Sequence, residues 1–259
     1  MKTVVYQSYR TQRVPGWIAT CMSTVKAWAQ ASGFDYRFFD DSFLALPPAW
    51  YVEKCAGEIC PVTDLARLMA ARELLASGYE RTVWVDADML VFAPDALTVD
   101  GVEGFAFSLE LWAWLDAQGQ LQCDQRVNNS LFVMTRDNRQ LDFLIDACLR
   151  IAMSKPRLDK LDIGSRFMTK LAESMPMPLV ANVGLFSPLL MQAIANGDEA
   201  ILRAYAQKLP IPLACANLCG SLVGQEMQGF AASSDNYDAV VRACLGTRGE
   251  VVNRLMTAR

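Results

Sequence analysis

Two aspartates, Asp86 and Asp88, stand two residues apart at the end of an apolar run, in the segment RTVWVDADMLVFAPD (residues 81–95). In extended backbone such a pair shares one face, because successive side chains alternate. Two ionised carboxylates held that close repel each other unless a divalent cation or a set of donors lies between them. So few oxygen ligands suit Mg²⁺ or Mn²⁺, which complete their coordination with water and substrate phosphate. The same tripeptide also suits a solvated turn after a strand, and the residues alone leave both readings open.

A second pair precedes it. Asp64 and Arg67 are three apart near the start of PVTDLARLMAARELLASG (residues 61–78), so on a helix they share a face. A cation at a helix amino end opposes the macrodipole, whereas Asp64 suits it. Arg67 is therefore either the receptor of an anionic ligand or one half of an ordinary i,i+3 ion pair.

What the chain lacks narrows the chemistry further. It has 259 residues and no histidine. That excludes Ser-His-Asp and Cys-His nucleophile pairs, imidazole acid–base catalysis and His-containing zinc sites. Carboxylates, amides, hydroxyls, Arg, Lys and a metal are what remain. With 24 basic against 28 acidic residues the net charge is −4, and no basic cluster relieves it, which argues against nucleic-acid binding. The eight cysteines are scattered, the close pairs 55/60 and 215/219 lack C-x-x-C spacing, and reduced thiols of a cytoplasmic protein are expected. The opening MKTVVYQSY is too short in apolar residues for a signal peptide, and no run approaches bilayer length.

The elements that must position these residues read as α/β. A chain that is 53% hydrophobic can bury a sizeable core. TVVYQS (3–8) reads as a first strand whose exit, Gln7 to Arg10, is a candidate base-binding edge. A helix with apolar Ile18, Met22, Val25 and Trp28 is expected over 16–32, stopped by Gly33, then a strand over 36–39. This βαβ opening predicts a mostly parallel sheet. Residues 42–60 read as an irregular connection. Val83, Trp84 and Val85 mark a buried strand ending near Asp86. LWAWLDAQGQLQC (111–123) reads as a hairpin around Gln118 and Gly119, with Trp112 and Trp114 packing on the scaffold or, exposed, stacking on an acceptor sugar. Helical stripes in the tail (Tyr237, Val240, Val241, Cys244; then Val251, Val252, Leu255) suggest lobe packing. Peripheral membrane contact through Arg242, Arg248 and Arg254 is the other reading.

A helix with D-x-x-R (TDLAR) followed by a strand leading into D-x-D (VWVDADML) resembles the DXD sugar-transferase family of GT-A glycosyltransferases. That group includes the yeast-type α-1,6-mannosyltransferases and the glucosylating clostridial toxins. Further segments agree in order: VPGWI, VKAWAQASGFDYRFFDD, RVNNSLFVMTRDNRQLDFLIDACL, DIGSRFMTKLAES and GLFSP. The likeness spans most of residues 3–225. Two departures stand out. The family's double glycine between helix and strand is absent, and its H-x-x-x-x-S-W becomes NLCGSL, with Asn217 in the His place and Leu222 in the Trp place.

The resemblance implies a Rossmann-like GT-A domain over 1–225, with a mostly parallel sheet and flanking helices, and a small helical C-terminal extension over 226–259. It implies a retaining, metal-dependent transferase moving a sugar from a UDP- or GDP-sugar to a glycan, lipid-linked or protein acceptor. Asp88, Asp86 and Asn217 would hold Mn²⁺ or Mg²⁺. Gln7, Ser8, Trp84, Asp86 and Ser221 would bind the nucleotide part, and Asp64, Arg67 and Asn129 would serve the sugar. Two rivals stand beside this: a haloacid-dehalogenase-like phosphohydrolase, whose nucleophile also lies in D-x-D after a strand, and an inactive nucleotide-sugar-binding relative.

Overall fold

A computed structural model describes residues 1–227 and 230–256. Strand β1 (Thr3–Ser8) leads through helix α1 (Gly16–Ala31) to β2 (Asp35–Phe39), which pairs parallel with β1. The connection expected to be irregular contains a short 3₁₀ turn (Asp41–Ala45) and helix α2 (Ala49–Lys54). Helix α3 (Ile59–Ala76) starts two residues before the expected Pro61 and delivers the chain to β3 (Arg81–Val85), parallel to β1 on its other side. A short β4 (Met89–Val91) follows. Then come the long strands β5 (Phe105–Leu115) and β6 (Leu121–Thr135), the expected hairpin with its turn at Gly119 (φ +72°).

Helices α4 (Gln140–Ser154) and α5 (Ser165–Ser174), strands β7 (Leu179–Val180) and β8 (Val183–Leu185), and helices α6 (Pro188–Asn196) and α7 (Glu199–Ala206) come next. The chain closes with β9 (Cys215–Asn217), a small ribbon of β10 (Glu226–Met227) and β11 (Phe230–Ala231), and helices α8 (Ser234–Gly246) and α9 (Glu250–Asn253). The central sheet runs β2-β1-β3-β6-β5-β7, with β6 antiparallel to both its neighbours and the remaining pairs parallel. A second sheet, β4-β9-β8, stands beside it.

Alternation along the central strands sets what lies on each face. Val5, Val83, Val85, Leu131 and Val133 point into one apolar layer with Val25 and Trp28 of α1. Tyr6, Trp84, Phe132 and Met134 point into the other, with Leu65, Leu68 and Leu75 of α3 and Leu144 and Cys148 of α4. Burial on both faces is why β3 carries no polar alternation. Each fully buried large apolar side chain contributes roughly 1.5–3 kcal/mol. The alternation has a consequence for chemistry. Asp86, two residues after Trp84, leaves β3 on the α3 side, where Arg67 waits.

The tail stripes are buried as expected. Tyr237, Val240, Val241 and Cys244 of α8 pack into a third apolar layer with Trp17 and Ile18 of α1 and Leu190 and Ile194 of α6. Arg248 pairs with Asp95, and Arg254 with Glu199. All eight cysteines are free thiols. Among the described residues no helix is long and apolar enough to cross a membrane.

Candidate active site

The backbone between Asp86 and Asp88 is not extended. β3 ends at Val85, the Met89 N–H donates to the Asp86 carbonyl at 3.1 Å, and residues 87–88 form a turn. The carboxylates nevertheless converge, because β4 leaves the turn paired with β9. That register places Met89 opposite Asn217. The Asn217 amide nitrogen stands 3.5 Å from Asp86 Oδ2 and 3.4 Å from Asp88 Oδ1. A turn braced by a second sheet does what the sequence reading assigned to an extended strand.

Arg67 is the electrostatic centre. Its guanidinium lies 3.2 Å from Asp64 Oδ1 and 3.0 Å from Asp86 Oδ1, donates to the Asn129 carbonyl at 2.9 Å, and sits 4.9 Å above the Trp84 ring. The i,i+3 ion pair therefore exists, but it is one arm of a larger node. Burial opposes the charge on Arg67, and Asp86 and Asp64 more than offset that, so its pKa is raised. Asp64 is buried and also accepts from the Asn129 amide at 3.0 Å. It stands before the amino end of α5, where a side chain on Gly164 would meet Asp64 Oδ2 at 2.6 Å, so any larger residue there must displace the carboxylate. The positive end of α5 is a favourable neighbour for the carboxylate.

Burial pushes Asp86 up to about 7, Arg67 pulling it down and Asp88 pushing it further up. The indole N–H of Trp84 donates to Asp86 Oδ1 at 2.7 Å. Asp88 is likewise raised by burial, against the pull of the Gly220 N–H, which donates to its Oδ2 at 2.6 Å. Gly220 follows Cys219, a non-glycine residue in left-handed backbone (φ 55°) whose N–H donates to Asn217 Oδ1 at 2.7 Å. The Tyr237 hydroxyl, on α8, donates to the Cys219 carbonyl at 3.2 Å and its ring stacks on Trp17 at 4.1 Å. The C-terminal helix thus props the loop that holds Asp88.

Two cavities meet at this node and share Thr63, Arg67, Asp86, Asp88 and Ser221. The smaller, about 260 Å³, is lined by Ser8, Tyr9, Phe43 and Trp84. The larger, about 490 Å³, takes in Asp64, Asn128, Asn129, Asn217, Trp112 and Arg126. Of the residues singled out in the sequence, Gln7 stays out of both cavities. It is fully buried, its amide donating to the Asp86 carbonyl at 3.1 Å and accepting from the Tyr36 hydroxyl at 2.9 Å. Gln7 thus holds the strand exit in place. Trp112 is half-buried, with the Arg126 guanidinium 5.1 Å over its ring.

The sequence reading missed Glu110, Asn128, Ser130 and the Gly220 N–H. Glu110 alone left a trace, a charge at an inward position of the apolar strand FAFSLELWAWL.

The donor set fits a divalent cation. Asp64 and Asp86 share the buried guanidinium of Arg67, Asp88 is held by the Gly220 N–H, and burial drives all three carboxylates toward protonation. A hard cation between Asp86 and Asp88 would relieve that deficit of positive charge. Among the described residues no three His, Cys, Asp or Glu side chains form a metal-holding group, so phosphate and water would complete the shell. Asn217 presents its NH₂ to the carboxylates, since the Cys219 N–H can only donate and so fixes the amide oxygen on its own side. Ligation through that oxygen would require the amide to turn over.

No protein-family model matches the chain, and no curated protein matches it. Among solved structures it is similar to a glycosyltransferase involved in glycosylation of the major capsid of PBCV-1. The TM-score is 0.52 at 8% identity, over 93% of this chain and 99% of that one. It also aligns with the PaToxG glycosyltransferase (TM-score 0.38, 14% identity, 95% and 87% covered). A third is mouse xyloside xylosyltransferase 1 without ligand (TM-score 0.43, 9% identity, 85% and 98% covered). The first likeness shows the fold. The architecture is the GT-A type, an α/β domain with flanking helices, as the sequence resemblance implied.

Proposed function

We propose that this chain is a divalent-cation-dependent glycosyltransferase that takes its sugar from a nucleoside diphosphate sugar. The observation that carries this reading is the meeting of Asp86, Asp88, Arg67, Asp64 and Asn129 where two cavities join. A nucleoside diphosphate sugar has three parts, and each finds complementary chemistry here. The smaller cavity offers Ser8, Tyr9 and the Phe43–Trp84 stack to the nucleoside. The carboxylate turn stands where the diphosphate would cross. Asp64, Asn128 and Asn129 offer hydrogen bonds to a sugar in the larger cavity.

In this reading Asp86 and Asp88 hold Mn²⁺ or Mg²⁺, which when bound supplies positive charge to the departing diphosphate. Asn217 and Ser221 hold the diphosphate region through amide and hydroxyl. Arg67 favours the ionised forms of Asp64 and Asp86 against burial and holds both in place. The acceptor hydroxyl, of a glycan, a lipid-linked intermediate or a protein, enters from the side of Trp112 and Arg126. Its proton passes to the leaving phosphate oxygen on the face of attack, a course that retains configuration and needs no protein nucleophile. Residues 1–225 carry the chemistry and the C-terminal helices support it.

The test is titration of UDP, GDP and their sugars with Mn²⁺, Mg²⁺ or EDTA, by calorimetry and thermal shift, on the wild type and on Asp88→Ala. Stabilisation by one nucleotide class that needs metal and is lost in the variant is the expected result. At a ligand concentration of 100 Kd it amounts to about 2.7 kcal/mol. A wild type that responds to no nucleotide in the presence of either metal overturns the reading.

A further inference from the structure

Strand β6 breaks its register beside the site. Phe107 of β5 pairs with Phe132, but the next residue, Ser108, pairs with Asn128, so Asn129, Ser130 and Leu131 have no partner on β5. On a regular strand neighbouring residues face opposite sides. Here Asn128 and Asn129 both line the larger cavity. The bulge also turns the Asn129 carbonyl to Arg67 and the Ser130 carbonyl to the Asp86 N–H, at 2.9 and 2.7 Å. Bulges commonly re-aim side chains at functional sites.

A buried polar cluster fills the bulge from behind. Glu110, with no exposed surface, accepts from the Ser130 hydroxyl and from the Asn128 amide nitrogen, each at 2.5 Å. Ser108 donates to the Asn128 carbonyl at 2.8 Å and stands 3.1 Å from the Ser130 hydroxyl. The Ser130 N–H donates to Asn128 Oδ1 at 3.1 Å. A backbone N–H can only donate, so the Asn128 oxygen must face Ser130 and its NH₂ must face Glu110. One N–H of Asn128 is then taken. The other has no partner among the described residues, on a half-buried side chain that lines the cavity.

We propose that Asn128 is a sugar-hydroxyl contact that sets donor-sugar selectivity, and that Glu110 is a positioning residue that locks the Asn128 amide in one orientation. The free group is a donor, so it recognises an acceptor oxygen, a hydroxyl whose configuration differs between epimeric hexoses. The proposal rests on the nucleotide-sugar reading above and adds the residue that discriminates between sugars. A site that hydrogen-bonds a substrate hydroxyl discriminates strongly, because the wrong isomer leaves its buried donor unpaired.

The test measures kcat/KM for donor turnover with UDP-glucose against UDP-galactose and GDP-mannose against GDP-glucose, alongside affinity for free UDP and GDP. Asn128→Ala is expected to shrink the ratio between preferred and epimeric sugar at least tenfold while nucleotide affinity changes less than twofold. Glu110→Met, which cannot hold the amide, is expected to shrink that ratio similarly. Glu110→Gln, whose amide oxygen can still accept from Asn128, is expected to restore it. A ratio unchanged in Asn128→Ala, or equal losses for both sugars in Glu110→Met and Glu110→Gln alike, would overturn the proposal while nucleotide affinity stands. A wild type that binds neither nucleotide fails the underlying reading instead, and the free-nucleotide arm identifies that case.

Discussion

Two buried acidic sites both contact the β6 bulge, and they solve the same problem differently. On one side Asp64 and Asp86 pair with Arg67, with Asp88 held beside them by the Gly220 N–H, at the junction of two cavities. On the other Glu110 is sealed from solvent among hydroxyls and an amide, with no cation in hydrogen-bonding contact among the described residues. In the first, Arg67 pulls Asp64 and Asp86 back down against the upward push of burial, and the carboxylates stay open to a ligand. In the second, burial pushes Glu110 up to about 8, so near neutrality the acid is largely protonated and fills a structural role. A raised carboxylate pKa by itself therefore does not mark the ligand site. What separates the clusters is the fixed guanidinium and the cavity. The contrast can be broken or sharpened one partner at a time.

The largest effect is expected from Arg67→Ala, which strands two carboxylates in a buried site. Removing one partner of a buried ion pair costs about 3–5 kcal/mol. Chemical denaturation should show a loss of that order, and titration of Asp64 and Asp86 followed by carboxyl ¹³C shifts should move to higher pH. Unchanged stability would mean the node is held by something other than Arg67.

Next is Gly164→Ala, whose methyl would stand 2.6 Å from Asp64 Oδ2. Overpacking of this kind costs about 1–3 kcal/mol. Since Asp64 must shift, nucleotide-sugar affinity should fall more than affinity for the free nucleotide, a difference that calorimetry of both ligands would read.

The third concerns pH. Glu110 has a folded pKa of about 8 against an ordinary 4.5, so between those values the folded protein binds more protons than the unfolded chain. Stability then falls as pH rises through that window, by up to about 1.4 kcal/mol per pH unit. Glu110→Gln removes this slope. Asp86, raised to about 7, adds a slope of the same sign between 3.8 and 7, and a divalent cation bound at the turn should flatten the Asp86 part most, touching Glu110 only through the smaller push it receives from Asp86 and Asp88. Denaturation midpoints from pH 5 to 8, with and without Mn²⁺, separate the two clusters.

The smallest is Tyr237→Phe, which loses one hydrogen bond to Cys219, about 0.5–1.5 kcal/mol. Metal-dependent nucleotide binding should weaken with it, because that bond steadies the loop presenting Gly220 to Asp88.

Much of this was legible in the chain. Period-2 and period-3.6 patterns placed β1, α1, β3, α3 and the β5–β6 hairpin, because each must bury one face or both. The D-x-x-R and D-x-D pairs announced the node, since carboxylates and a guanidinium at those spacings need partners. Absent histidine restricts the chemistry by residue type alone. Other features were beyond pattern. Whether Asp86 and Asp88 converge through extended backbone or across a turn is left open by the residues, because the brace that decides it, β9, lies some 130 residues away in sequence. Gln7, at the candidate base-binding edge, is buried against the Asp86 carbonyl and the Tyr36 hydroxyl, because whether a strand-end amide meets solvent or a neighbouring strand depends on packing.

The sequence by itself determined the alternation, the helix faces and the stock of reactive groups, all of which follow from local stereochemistry and residue type. The tertiary structure decided the register slip in β6, the orientation of the Asn128 and Asn217 amides and the convergence of Asp64 and Asp86 on one guanidinium, with Asp88 brought beside them. These depend on which backbone donors arrive from distant strands, and no local propensity encodes that.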